Sequence, residues 1–191
     1  MKIPLFPLPS IVLPGGTLPL RLFEPRYLRM VSECFRNGTG FGSCLSRPSS
    51  GQGPVKPFPI GTLVSIVDFD QGSDGMLHIT AKGEQEYKLI DITVEKDSLL
   101  IGEIELQERP VKIAMPPQYS SLAVKLSQIL QHIEPHMSYP DRDLDDAEWV
   151  CNRLLELLPI APAEKYQMLR DFDIHARLEA LDALSFSVAE Q

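Results

Sequence analysis

An α+β fold, β-rich first and all-helical second, is what this 191-residue chain predicts, on three observations. Apolar residues alternate with period two from residue 1 to about residue 108. From about residue 117 to the end they recur with a period near 3.6. Between the two lies Arg109-Pro110-Val111-Lys112-Ile113-Ala114-Met115-Pro116-Pro117, whose prolines and shortage of polar spacers suggest a stiff, packed connection. The expected division is a β domain over 1–108, a linker over 109–116 and a helical domain over 117–191.

The strand candidates are, in order, 3–6, 18–23, 40–45, 61–70, 76–82, 87–95 and 99–106. Gln71-Gly72-Ser73-Asp74-Gly75 punctuates a hairpin between two of them. Many short strands with turn signals mean a sandwich or a small barrel. One helix interrupts the set: Pro25 suits its first position, Tyr27, Leu28, Val31, Cys34 and Phe35 form an apolar face, and Asn37-Gly38 ends it. Ser46 to Pro59 has serine, glycine or proline at nine of fourteen positions, which is the composition of a surface loop or flap.

In the second part, Leu122, Leu126, Ile129, Leu130 and Ile133 line a helix that Pro135 ends. Asp145-Asp146-Ala147-Glu148 reads as a capping box opening the next, with Val150, Cys151, Leu154, Leu157 and Leu158 facing a partner. Trp149 beside them is read as core. A third helix starts at Pro162, and a fourth is capped by Asp173 and carries Leu178, Leu181 and Leu184. Four such helices pack as a small bundle or a hairpin pair.

Eighteen basic and 26 acidic residues leave a net charge of −8, unevenly spread: residues 1–65 carry +5 and the remainder −13. Such a chain repels nucleic acid overall, and its basic first part is too sparse to track phosphates. Five prolines before residue 20 break any signal-peptide helix, and no apolar stretch approaches a membrane span. Cys34, Cys44 and Cys151, odd in number and without CxxC spacing, fit thiols in a reducing cytoplasm, the expected location.

Candidate chemistry is scarce. No glycine run has the company of a phosphate-binding loop. His132-Ile133-Glu134-Pro135-His136 imitates a zinc motif, but Pro135 breaks the helix that would stack both imidazoles. Asp141-Arg142-Asp143-Leu144-Asp145-Asp146 imitates a calcium loop, yet Asp146 stands where glycine belongs and Asn152 where the bidentate glutamate belongs. No catalytic residue, metal or cofactor is expected.

Three stretches carry a family pattern: Leu5-Phe6-Pro7-Leu8 with Leu18-Pro19-Leu20 and Phe23-Glu24-Pro25-Arg26-Tyr27; Gly61-Thr62-Leu63-Val64-Ser65-Ile66-Val67-Asp68 with Ile79-Thr80-Ala81-Lys82-Gly83; and Ala163-Glu164-Lys165-Tyr166-Gln167-Met168-Leu169 with Arg177-Leu178-Glu179-Ala180-Leu181. In order and spacing they resemble the N-terminal substrate-recognition domain of Lon-type ATP-dependent proteases. The resemblance implies a PUA-like β-barrel with an embedded helix, followed by a C-terminal α-helical bundle. It also implies a non-catalytic module engaging unfolded or tagged polypeptide, or a protease or ATPase partner. The chain stops at Gln191 before any ATPase or protease motif, so a stand-alone recogniser is the expectation.

The peptide-binding candidates are Leu20, Arg21, Phe23, Glu24, Arg26 and Tyr27. In Glu24-Pro25-Arg26-Tyr27, Pro25 fixes the helix entry and Arg26 can reach a carboxylate or carbonyl, so the motif also suits a lock between helix and barrel. One departure stands out: after Gly83 the family has arginine before an aromatic or branched residue, where this chain has Glu86-Tyr87. The rival readings are an RNA-binding PUA-like protein, or a small-molecule-binding or hydrolytic protein whose site is unrecognised.

Overall fold

A computed structural model describes residues 1–47, 55–72, 75–108, 112–133, 139 and 141–188, with side chains to Leu184. It is an α+β fold in two compact units, Met1–Arg109 and Pro110–Gln191.

The first unit runs β1 (Lys2–Leu8), β2 (Thr17–Leu22), α1 (Pro25–Asn37), β3 (Phe41–Ser46), β4 (Pro57–Gln71), β5 (Leu77–Val94) and β6 (Leu100–Leu106). The strands form one sheet in the order β2-β5-β4-β3-β1-β6, and β5 also pairs with β6. Only β1 with β3 is parallel; the other pairings are antiparallel.

The sequence suggests a break between strands 76–82 and 87–95, but β5 is continuous through it. Gly83 is there for close approach, not for a turn. Its N–H donates to the Gly16 carbonyl at 2.9 Å, its carbonyl accepts from Gly15 at 3.0 Å, and a Cβ would lie 2.1 Å from the Leu13 carbonyl oxygen. One long strand thus serves β2 with its first half, β6 with its second and β4 along most of its length. The expected loop 46–59 is also shorter: Pro57 to Pro59 belong to β4, Ser46 lies opposite Pro57, and Arg47 N–H donates to the Lys56 carbonyl. Residues 48–54, the middle of that stretch, lie outside the described residues.

Two cores result, because strands buried on both faces send neighbouring side chains opposite ways. Phe6 joins Tyr27, Met30, Phe41, Val64 and Ile79 beneath α1. Leu5 joins Cys44, Tyr87, Leu89, Leu100 and Ile104. Tyr87, the residue beside the departure from the family pattern, is fully buried, its hydroxyl 3.4 Å from the Ser43 carbonyl. Room for that ring comes from Gly61 directly opposite, where a Cβ would sit 2.3 Å from Tyr87 Oη.

Helix α1 has the ends its sequence predicts, Pro25 in the first turn and Gly38 left-handed at the C-terminus, φ +61°. Its buried face is rotated from the expected one. Tyr27, Met30, Val31 and Cys34, spaced i, i+3, i+4, i+7, face the core, whereas Leu28 and Phe35 are exposed.

The second unit has a 3-10 turn (Pro117–Tyr119), α2 (Ser120–Ile133), α3 (Ala147–Leu157), α4 (Pro162–Leu169) and α5 (Ile174–Val188). Leu122, Leu126 and Leu130 are the buried stripe of α2. Asp146 caps α3, accepting from Glu148 N–H at 3.0 Å, and Asp173 accepts from His175 N–H at 2.9 Å at the start of α5. Residues 113–115 pair with the α3 entrance through Ala147 N–H to the Ile113 carbonyl and Met115 N–H to the Asp145 carbonyl. On α3 the periodicity gives no hint that Arg153 is fully buried. Glu156 clasps its guanidinium with two 2.8 Å bonds, and the rings of Tyr139 and the buried Trp149 lie 5.5 and 5.8 Å away.

Candidate functional site

The stretch between β2 and α1 was the sequence's candidate, and its residues divide into anchors and open surface. Leu20 is partly buried against the core under α1. Tyr27 is a core residue: its ring meets Phe6 edge-on at 4.2 Å, and burial pushes its phenol above the ordinary value against the opposing pull of Arg26. Helical phase turns Tyr27 inward with Met30 and Cys34.

Arg26 lies over the Tyr27 ring at 4.6 Å, donates to the Ser98 carbonyl at 3.0 Å and pairs with Glu24 at 2.6 Å. One helical turn on, Arg29 donates to Asp97 at 2.9 Å, to Glu33 at 3.0 Å and to Glu95. Desolvation nudges the Asp97 carboxyl upward, but the Leu99 N–H and Arg29 bring it below its ordinary value. Glu24, Arg26 and Arg29 therefore fasten α1 to the turn between β5 and β6.

Phe23 and Arg21 point elsewhere. Phe23 is 67% exposed, and beside it stand Leu28 at 38%, Phe35 at 46% and Phe69 at 62%. Three separate elements contribute these side chains: the β2–α1 junction, the outer face of α1 and the end of β4. The rings of Phe35 and Phe69 meet at 5.0 Å and 63°. Phe23, Leu28, Phe69, Met76, Leu22 and Leu77 line an open groove of about 550 Å³. Arg21, exposed on β2, donates from Nε to Met76 Sδ at 3.1 Å at its margin. A second hollow of about 330 Å³ lies under Phe35, between Cys34, Thr39, Leu63 and Ile66, with Glu84 held by Ser65 at 2.6 Å.

Sequence reasoning found Phe23 and missed the rest of this surface. Its signal was present: Leu28 and Phe35 repeat at i, i+7, a second apolar stripe on α1, and Val67-Asp68-Phe69-Asp70 alternates on a strand with no apolar neighbour to cover it. Contiguous apolar surface of this kind marks interaction sites.

The remaining candidates behave as structure. His132 Nδ1 is 2.7 Å from the Gln128 carbonyl, while Pro135 and His136 lie outside the described residues. Asp143 pairs with Lys112, and Asp146 is the cap of α3. Among the described residues no group of three His, Cys, Asp or Glu could hold a metal ion. All three thiols are buried, and burial pushes Cys44 and Cys151 up to about 12, the reverse of an activated nucleophile. Among the described residues no helix is long and apolar enough to cross a membrane.

Residues 2–184 match the family model for the ATP-dependent protease La (LON) substrate-binding domain. A crystal structure described as a Lon N-terminal domain protein from Xanthomonas campestris is 37% identical, with a TM-score of 0.79 over 96% of this chain and 98% of that one. The N-terminal domain of Mycobacterium avium complex Lon protease shares the fold at 17% identity, with a TM-score of 0.66 over 95% of this chain and 96% of that one. The Lon protease of Parabacteroides distasonis is 24% identical over 185 residues, which are 92% of this chain and 22% of that protein. The chain thus spans roughly a quarter or less of the curated relatives it matches.

Proposed function

This chain belongs to the ATP-dependent protease La (LON) substrate-binding domain family, and from that premise we propose that it binds polypeptide without performing chemistry on it. Unfolded or tagged chains are its ligands, and a protease or ATPase is the partner that acts on them. The contact surface is the aromatic strip of Phe23, Leu28, Phe35 and Phe69 with the groove beside it. Arg21 forms its polar margin, while Leu20, Glu24, Arg26 and Tyr27 hold α1 and its entry in place.

One observation carries this reading: four large apolar side chains from separate elements stand open to water on one surface while the cores around them are closed. An unfolded segment offers side chains that such a strip can take from water, at about 25 cal/mol per Å² of apolar area covered. Strand addition is a poorer mode. At β2, which ends the sheet order, Pro19 in the middle of the strand has no N–H to offer an added strand.

Within the same reading, the first unit is a PUA-like β-barrel with an embedded helix. The cycle of pairings from β1 through β3, β4, β5 and β6 back to β1 supports closure. The helical unit is a small bundle, the division falls at 1–108, 109–116 and 117–191, and the protein works in the cytoplasm.

The test is fluorescence anisotropy with a labelled, permanently unfolded polypeptide. Wild type should bind, and Phe69→Ser with Phe35→Ser should weaken binding by about tenfold or more, as central aromatic contacts do. Equal affinity in the double variant, with the fold intact by circular dichroism, would remove the strip from the proposal.

A further inference from the structure

Resting on the reading that the groove takes apolar side chains, we propose that Met76 is a reversible oxidation site that closes it. Met76 forms part of the groove wall with Phe23, Leu28 and Phe69. It is only half-buried, and its sulfur takes a solvent-exposed hydrogen bond from Arg21 Nε at 3.1 Å. A thioether is a weak acceptor, so a permanently charged guanidinium is poorly matched to it. A sulfoxide oxygen is a far stronger acceptor and would meet a donor already in place.

The chemistry is a two-electron oxygen transfer from a hydroperoxide, either hydrogen peroxide or an organic one. The sulfur lone pair attacks the terminal peroxide oxygen, the O–O bond breaks and the S–O bond forms. The proton of the attacked oxygen passes to the departing oxygen, which leaves as water or an alcohol. Methionine sulfoxide reductases reverse the change. The product puts a hydrated S–O group, paired with Arg21, beside Phe23, Leu28 and Phe69 in a groove that Asp70 and Gln71 also line, and an incoming apolar side chain would have to strip its water.

Met30 is the internal control. It is fully buried under α1 and out of reach of peroxide. Met168, on α4 in the other unit, controls for oxidation away from the groove.

The experiment treats the full chain with dilute hydrogen peroxide, follows each methionine by peptide mass spectrometry and measures affinity for an apolar peptide before and after. Met76 should oxidise ahead of Met30, and affinity should fall by about tenfold. Reductase treatment should restore it. Within Met76→Leu the ratio of affinities before and after peroxide should be about one, while Met168→Leu should show the full loss. The switch is overturned if Met76 oxidises with affinity unchanged, if it oxidises no faster than Met30, or if Met76→Leu loses as much as wild type. A reduced wild-type chain that binds no peptide would sink the polypeptide reading together with the switch; binding without an oxidation response would sink the switch alone.

Discussion

The two faces of α1 are built from the same kinds of residue and do opposite things. Tyr27, Met30, Val31 and Cys34 are buried, whereas Leu28 and Phe35, one step round the same helix, stand 38% and 46% exposed. Composition does not separate them. What separates them is cover: the inner face packs with Phe6, Phe41 and Val64 in a closed core, whereas on the outer face Phe35 meets Phe69 and Leu28 lines the open groove with Phe23. Leu28 and Phe35 stand among Arg29, Ser32, Glu33 and Arg36 on a helix whose buried face is already complete, so the core does not account for them.

The sharpest way to break this comparison is to truncate each face in turn. Met30→Ala, at a site with no exposure, should cost about 2–5 kcal/mol in a urea titration. Leu28→Ser should stay within about 0.5 kcal/mol of wild type while weakening peptide binding. Equal costs would show the outer face to be structural.

Next in size is the packing on the other side of the sheet. Gly61→Ala places a Cβ 2.3 Å from Tyr87 Oη and should cost about 1–3 kcal/mol. Tyr87→Phe in the same chain should recover only a small part of that loss, because it removes the hydroxyl but leaves ring Cζ and the Ser43 carbonyl oxygen each 2.4 Å from the new Cβ. Additive losses would show that another neighbour sets the limit.

Alkaline pH tests the same core. Burial raises the Cys44 thiol from 9.0 to about 12 and the Tyr87 phenol well above 10.0. The folded chain therefore keeps protons that the unfolded chain releases. This stabilisation is complete below about pH 9 and is lost as pH rises toward 12. Thermal midpoints should fall steadily over that window, and Tyr87→Phe should flatten the part above pH 10.

The smallest expected effect is at the turn that holds α1 down. Ser98 has φ +67° and offers its carbonyl to Arg26. Ser98→Gly relieves the left-handed strain, partly offset by lost chain entropy, for a gain of up to about 0.5 kcal/mol. Peptide affinity should be unmoved, since the carbonyl remains.

The elements that punctuation controls were readable from sequence: Pro25 and Gly38 bracket α1, Asp146 and Asp173 cap their helices, and period two located β1 to β4 and β6. The continuity of β5 through Gly83 was missed because a glycine that admits a neighbouring backbone interrupts the period-two pattern as a turn would. The pairing of Arg153 with Glu156 at i, i+3 and with Trp149 at i−4 was legible as spacing, but its burial was not, because burial depends on what packs over α3. The site was half legible for the same reason. Periodicity put Leu28 and Phe35 on one apolar face with Tyr27 and Cys34, whereas their exposure depends on what another element leaves uncovered.

The position of β1 constrains how this molecule is born. It lies between β3 and β6, with Lys2 opposite Glu103 and Leu5 opposite both Gly42 and Leu100. As the chain emerges from a ribosome, one flank of its first strand stays unzipped until residue 106 has appeared. Closing so distant a pair is slow, and the waiting edge is sticky. The first unit therefore passes part of its own synthesis with a strand edge open.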